Sequence, residues 1–145
     1  MEVNGHKLPN SFVEWINKKI FNREVGSWPL KNEVDSYGNH LETELGKVFG
    51  NLKEITEETS KLNKDFTPDG VYGSESEWEN EPGFINDITD FKNIVSFAID
   101  SGGSPFCFDF RDSEKAPKII WWDDCYWREV SPSFEEFLNL FELNS

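Results

Sequence analysis

The chain has 145 residues, a net charge of −14, 37% hydrophobic residues and 15% aromatic residues. That length suits a single domain, and thirteen Phe and six Trp supply enough apolar area for a core without metal or disulfide. The charge argues against binding nucleic acid or anionic lipid, both of which select basic surfaces, so a partner attracted by charge is expected to be basic.

No stretch approaches the roughly 18 apolar residues of a membrane span. Met1 to Asn10 has neither the basic start nor the apolar centre of a signal peptide, so a cytoplasmic location without membrane contact is expected. Cys107 and Cys125 lie among aromatic residues and read as small buried thiols, with a cross-strand disulfide as the less favoured alternative.

In chain order, Ser11 starts a helix with Glu14 as its capping-box partner, and Phe12, Trp15, Ile16 and Ile20 recur at helical spacing. Lys18 and Lys19 near its end suit the helix dipole. Asn22 to His40 is turn-rich, with Trp28-Pro29-Leu30 as an extended piece. Leu41 to Phe49 reads as a strand weakened by Gly46. Asn51 opens a second helix, with Glu54 as capping partner and Leu52, Ile55, Thr59 and Leu62 as its inner stripe.

Composition changes between residues 65 and 91. Asp65, Asp69, Glu75, Glu77, Glu79, Glu81, Asp87 and Asp90 fall there, without a Lys or Arg from Phe66 to Phe91. Pro68, Gly70, Gly73, Pro82 and Gly83 mark the segment as loop-rich, so much of the negative charge is concentrated rather than spread.

A four-strand meander follows. Val95, Phe97 and Ile99 alternate on one face, and Ser101-Gly102-Gly103-Ser104-Pro105 turns the chain. Phe106, Phe108 and Phe110 then alternate, with Cys107, Asp109 and Arg111 opposite. Lys118 to Trp122 and Tyr126 to Val130 supply the last two strands around Asp123-Asp124. Ser131 as N-cap and Pro132 at the first helical position open a closing helix. Its stripe of Phe134, Phe137, Leu138 and Phe141 needs a sheet face to cover. The expected fold class is α+β: one domain over residues 1–145, its sheet mostly antiparallel and flanked by N-terminal and C-terminal helices.

Three ordered motifs carry a resemblance covering about half the chain. They are GGSPFCFDFR from Gly102, PKIIWWDDCYWR from Pro117 and SPSFEEFL from Ser131, preceded by an early Leu8-Pro9 and an aromatic-rich helix. Together they resemble the SUKH superfamily, whose members include the yeast Smi/Knr cell-wall regulator and many bacterial immunity proteins. The doubled Trp121-Trp122-Asp123-Asp124 looks most similar to a Bacillus-type subgroup found beside LXG-type secreted toxins. The resemblance implies an α+β fold and an immunity protein that neutralises a cognate toxin, often a nuclease or deaminase, by stoichiometric binding. A regulatory or scaffolding adaptor of the Smi/Knr type is the alternative. The acidic segment is longer than the compact family core, and a variable loop of this kind can choose partners.

Two candidate binding regions follow. The first is Trp122, Asp123, Asp124, Tyr126, Trp127 and Arg128 together with Trp121, because Trp, Tyr and Arg are enriched in binding hot spots. Successive strand residues leave on opposite faces. Trp121 and Trp122 therefore enter different layers, one under the last helix and the other outward or beneath a loop. Any single Trp is more often core than contact, yet at least one exposed aromatic is expected in the set. The second region is Glu75, Glu77, Trp78, Glu79 and Glu81, an anionic loop with an aromatic centre that could occupy a nuclease's basic cleft. A solvated loop explains it about equally well.

Catalytic and metal signatures are weak. Asp123 and Asp124 suit a turn better than an acid–base pair, and Asp109 and Arg111 suit an ion pair with each other or with Arg128. His6 and His40, the two histidines, have no zinc-type spacing, and no Gly-x-Ser-x-Gly elbow or phosphate loop occurs. The expectation is a non-enzyme with no metal or cofactor, a monomer or weak homo-oligomer. An enzyme using Asp109, Asp123 or Asp124 would gather them in one pocket.

Overall fold

A computed structural model describes residues 1–18, 28–66, 80–85, 88, 90–123 and 126–141. The chain folds as an α+β structure. Two short strands, β1 (Glu2–Val3) and β2 (His6–Lys7), form an N-terminal hairpin. A six-stranded antiparallel sheet follows in the order β3 (Trp28–Pro29), β4 (Glu44–Val48), β5 (Ile94–Asp100), β6 (Pro105–Asp109), β7 (Lys118–Asp123) and β8 (Tyr126–Ser131). The helices are α1 (Asn10–Asn17), α2 (Leu52–Ser60), α3 (Leu62–Asp65) and α4 (Phe134–Leu138).

The meander has the expected order, and its register explains the double layer. Phe106 faces Trp121, Phe108 faces Ile119, and Cys107 faces Ile120. On one face Phe97, Phe106, Phe108, Ile119 and Trp121 join Phe12 of α1 and Phe134 and Phe137 of α4 in the main core. Phe12 meets Phe97, Phe108 and Phe134 edge-on at 5.3–5.6 Å, and Phe97 stacks on Phe108 at 4.3 Å. Each such pair contributes about 0.5–1.5 kcal/mol beyond the area it buries. On the other face Ile94, Cys107, Ile120, Trp122 and Trp127 pack with Leu62 of α3, Ile88 and Phe91. Cys107 is buried and free, and burial pushes its thiol well above the ordinary range; Cys125 lies outside the described residues.

Three helix details differ from the expectation. Helix α1 starts at Asn10, and the Pro9 carbonyl, rather than the Ser11 side chain, receives the amides of Phe12 and Val13. The ring of Pro9 fixes φ near −55° and lets the ladder start one residue early, leaving Ser11 inside the first turn. In α2 the Asn51 cap accepts from the Glu54 amide at 2.9 Å, and Ile55 and Thr59 are buried. Leu52, however, is exposed, because the first turn overhangs the sheet. Helix α4 is capped by Ser133, not Ser131: the Ser133 hydroxyl accepts from the Glu136 amide at 3.2 Å. Strand β8 runs on through Ser131, which pairs with Ile119, so the helix cannot begin there. Ile20 and Lys19, assigned to the first helix, lie outside the described residues.

The hairpin was not expected, although Asn4-Gly5 is its signal. Asn4 (φ 52°) and Gly5 (φ 83°) both hold the positive φ that a two-residue hairpin turn requires. Both edges of the six-stranded sheet have backbone partners. Leu30 bridges Phe141, and the Lys31 amide donates to the Leu140 carbonyl beside β3. Gly83–Ile85 lie along β8, where the Ile85 amide donates to the Trp127 carbonyl and the Glu129 amide to the Gly83 carbonyl.

Gly46 has a steric reason. A Cβ there would sit 2.8 Å from the Asp100 backbone, where a register shift brings β4 close to β5. Gly46→Ala is expected to cost about 1–3 kcal/mol in urea unfolding, as overpacking does. Gly102→Ala, whose Cβ meets nothing nearer than 3.5 Å, should stay within about 0.5 kcal/mol.

Candidate functional site

A concavity among the described residues lies on the Trp121 face of the sheet, between the β5–β6 turn and the segment that leads into β4. Two adjoining depressions, of about 380 and 510 Å³, share Glu42 and Asp100. The first is walled by His40, Ser104, Trp121, Asp123 and Arg128; the second adds Glu33 and Glu44 beside Leu30 and Leu41. Five carboxylates therefore line this groove: Glu33, Glu42, Glu44, Asp100 and Asp123.

Local sequence explains how each wall is built. Asp100 opens the turn to Ser104, where Gly103 (φ 93°) makes the reversal. The Asp100 carboxylate accepts from the amides of Gly102 (2.9 Å) and Ser104 (2.8 Å), the Thr43 hydroxyl (3.1 Å) and Trp121 Nε1 (3.0 Å). One acidic side chain thus fixes the turn, the approach to β4 and the ring at the groove floor. Asp35 organises the opposite wall. Its Oδ1 accepts from the amides of Tyr37 (2.8 Å) and Asn39 (3.0 Å), turning the chain before His40.

Arg128 joins these parts. Its guanidinium donates to Asp35 Oδ2 at 2.9 Å and to the His40 carbonyl at 2.6 Å, and its Nη1 lies 3.5 Å from Asp123 Oδ2. Arg128 and Asp35 are buried, so the pair is shielded from solvent. The planar fork of Arg suits this several-point contact, which Lys could not reproduce.

The aromatic set takes a different role from the one expected. Trp121 and Trp122 do enter opposite layers, but Trp121, Trp122, Tyr126 and Trp127 are all buried, at 9% exposure or less. No exposed aromatic is found among them, because loops cover the face that α1 and α4 leave open. Phe66 packs on Trp122 at 6.2 Å, its carbonyl accepts from Trp127 Nε1 at 3.1 Å, and Phe84 lies 6.2 Å from Tyr126. Burial first, and then the Asp123 charge, push the Tyr126 hydroxyl up to about 12. Among the expected contacts, Asp123 reaches the groove, Arg128 supports it from below, and Trp122 and Trp127 serve the second core. Glu75, Glu77, Trp78, Glu79 and Asp124 lie outside the described residues; Glu81 is exposed beside the strap along β8.

Asp109 and Asp123 are not brought together. Asp109 pairs in register with Lys118, at the opposite end of β7 from Asp123, roughly 16 Å of strand away. Asp109 is instead buried in a two-point pair with Arg111, both contacts at 2.9 Å, and Arg128 takes other partners. His6 bonds Glu114 and His40 pairs with Glu42; among the described residues no group of three His, Cys, Asp or Glu could hold a metal ion. Nor, among them, is any helix long and apolar enough to cross a membrane.

Asp35, Glu33, Glu42, Glu44 and Asp100 were not singled out from sequence as site residues. An Asp followed by Gly two or three positions later is visible twice, in Asp35-Ser36-Tyr37-Gly38 and Asp100-Ser101-Gly102-Gly103. That pattern marks side-chain-closed turns. Nothing in the sequence brings the two turns to one groove.

The chain belongs to the SMI1/KNR4 family (SUKH-1), whose model matches residues 2–140. No curated protein and no solved structure matches it significantly.

The buried pair gives a direct prediction. Asp35→Ala leaves the Arg128 charge buried without its main partner and is expected to cost about 3–5 kcal/mol in chemical unfolding. Asp112→Ala, which removes an exposed pair with Lys118, should leave the unfolding transition close to that of the parent chain. In an alkaline titration followed by phenolate absorbance, Tyr126 should ionise near pH 12, two units above an ordinary tyrosine. The fold favours the neutral phenol, so this contribution to stability is complete below about pH 10 and lost as pH rises towards 12.

Proposed function

We propose that this protein is an immunity protein that binds a cognate bacterial toxin and neutralises it by stoichiometric occlusion. Membership of the SMI1/KNR4 family supports an immunity role in general. The observation that carries the reading furthest is the groove with five lining carboxylates on a chain of net charge −14. A carboxylate-lined groove complements a surface that binds phosphates, and a nuclease presents such a surface around its active site. The toxin is accordingly read as a nuclease with a basic cleft, secreted or delivered by contact, of the kind that carries an LXG segment. The immunity protein acts in the cytoplasm as a monomer or weak homo-oligomer, without nucleic acid or membrane as a partner.

Two surfaces compete for the contact: the groove, and the acidic run containing Glu75, Glu77, Trp78, Glu79 and Glu81. Both attract a basic partner, and they are separable by substitution. Glu33, Glu42 and Glu44 do not belong to the buried core, so changing them to Gln removes charge without emptying the interior.

The test is co-expression with the toxin encoded beside the gene, followed by association kinetics. A tight one-to-one complex that protects the cell is expected, with association slowing as salt is added. The triple change Glu33→Gln, Glu42→Gln, Glu44→Gln should slow association about tenfold if the groove leads the contact. Equal loss from Glu75→Gln, Glu77→Gln, Glu79→Gln and Glu81→Gln, with the groove variant unchanged, would move the contact to the acidic run. Neither complex nor protection would remove the immunity reading and favour a regulatory adaptor of the Smi/Knr type.

A further inference from the structure

One buried imidazole ties the N-terminal hairpin to two other segments of the fold. His6 is 6% exposed and stacks flat on Phe110, with ring centroids 4.6 Å apart and planes at 12°. Its Nδ1 lies 2.7 and 2.9 Å from the two carboxylate oxygens of Glu114, in the β6–β7 connection. Its Nε2 lies 3.1 Å from the backbone carbonyl of Lys92, just before β5. Three segments distant in sequence therefore meet at one ring.

Both partners are acceptors. A neutral imidazole has one N–H donor and one lone pair, so it can satisfy only one of them; the other contact would set a lone pair against an oxygen. The doubly protonated ring donates to both. A buried contact of the wrong polarity is costly; the hairpin is otherwise held by the buried Val3 and by β1 packing on α2, while the Leu8 amide, donating to the Met1 carbonyl, closes the hairpin itself.

The charged groups around this ring come from three elements. Glu2 and Lys7 belong to the hairpin itself. Before β5 lie Asp90 and Lys92, whose side chains pair with each other at 3.8 Å. In the β6–β7 connection Arg111 is engaged by Asp109 and Asp112 by Lys118, while Lys115 is exposed. Glu114 is thus the charged group that bonds the ring.

We propose that His6 is a proton-operated latch: the hairpin is held against the sheet while both ring nitrogens carry protons, and is released when one is lost. The sign follows from linkage. The closed form binds the proton, because both ring nitrogens face acceptors, so the latch contributes on the acid side and weakens as pH rises. The proposal is independent of the toxin reading, since it concerns the free chain.

The test uses the full-length protein alone. Nitrogen chemical shifts of the His6 ring report its protonation, and amide exchange reports hairpin opening, with Leu8 as the main probe. Protection of the Leu8 amide, corrected for intrinsic exchange, should fall about tenfold between about pH 5.5 and 7.5, in step with loss of the ring proton. His6→Gln should give low protection with no such step, and Glu114→Gln should remove most of the step while leaving the sheet amides protected. A His6 ring that is neutral at every pH in this range, with the hairpin still protected, would overturn the latch. So would a His6→Gln profile identical to that of the parent chain.

Discussion

Strands β5 to β8 are buried on both faces, and that constraint governs the rest of the structure. A sheet apolar on two sides requires cover on two sides, and the chain supplies it unevenly. Helices α1 and α4 close one face with an aromatic cluster around Phe97, Phe108 and Phe134. The second face is closed by α2, the short α3 and irregular segments around Phe66 and Phe91, which pack on Trp122 and Trp127. The groove lies where neither helical cover reaches, at the end of the sheet beyond α4. Site and scaffold are in this sense one problem: the groove is the part of the first face that the helices leave to polar side chains.

Those polar side chains are arranged by two buried charges. Arg128 draws Asp35 and the His40 carbonyl onto the end of β8, and Asp100 holds the β5–β6 turn, Thr43 and the Trp121 ring. Each satisfies several groups at once, so each fixes relative positions of segments that share no secondary structure. Ion pairs of this kind add little net stability compared with an apolar replacement, and their value lies in selecting one arrangement. Here the arrangement is a groove whose carboxylates are themselves held in place: Glu42 pairs with His40, Glu44 accepts from the Ser101 hydroxyl, and Asp123 lies 3.5 Å from Arg128.

Local patterns carried most of the fold. The alternating Phe106, Phe108 and Phe110, the Gly-rich turn and the Phe134 stripe sufficed to place the meander and the last helix, because each is determined within a few residues. The capping errors at Ser11 and Ser131 have a shared cause: a plausible cap was overridden by a neighbour, Pro9 in one case and the continued pairing of Ser131 in the other. The site was less legible. Asp123 and Arg128 were visible because they lie in the family motif. Asp35 and Asp100 are separated by 65 residues and hold opposite walls of the groove, a placement set by tertiary packing that no spacing rule reports. The Trp pair was read correctly for direction, and Trp122 takes the covered place that was one of its two alternatives; the exposed aromatic expected in the set is not found, and Phe66, which packs on Trp122, is far from it in sequence.

The treatment of the sheet edges has an evolutionary consequence. Edge strands with free backbone groups are read by other chains through strand addition, a mode indifferent to most side chains. Here Leu30 and Lys31, directly after β3, are bonded to Phe141 and Leu140, and β8 lies under Gly83–Ile85, where a Cβ on Gly83 would come within 2.5 Å of the Glu129 carbonyl. A partner cannot borrow those edges without stripping off the covering segment. Recognition is thereby moved from backbone to side chains, where single substitutions can change which partner is accepted while the sheet stays as it is. The fold thus divides into a closed frame and an editable surface.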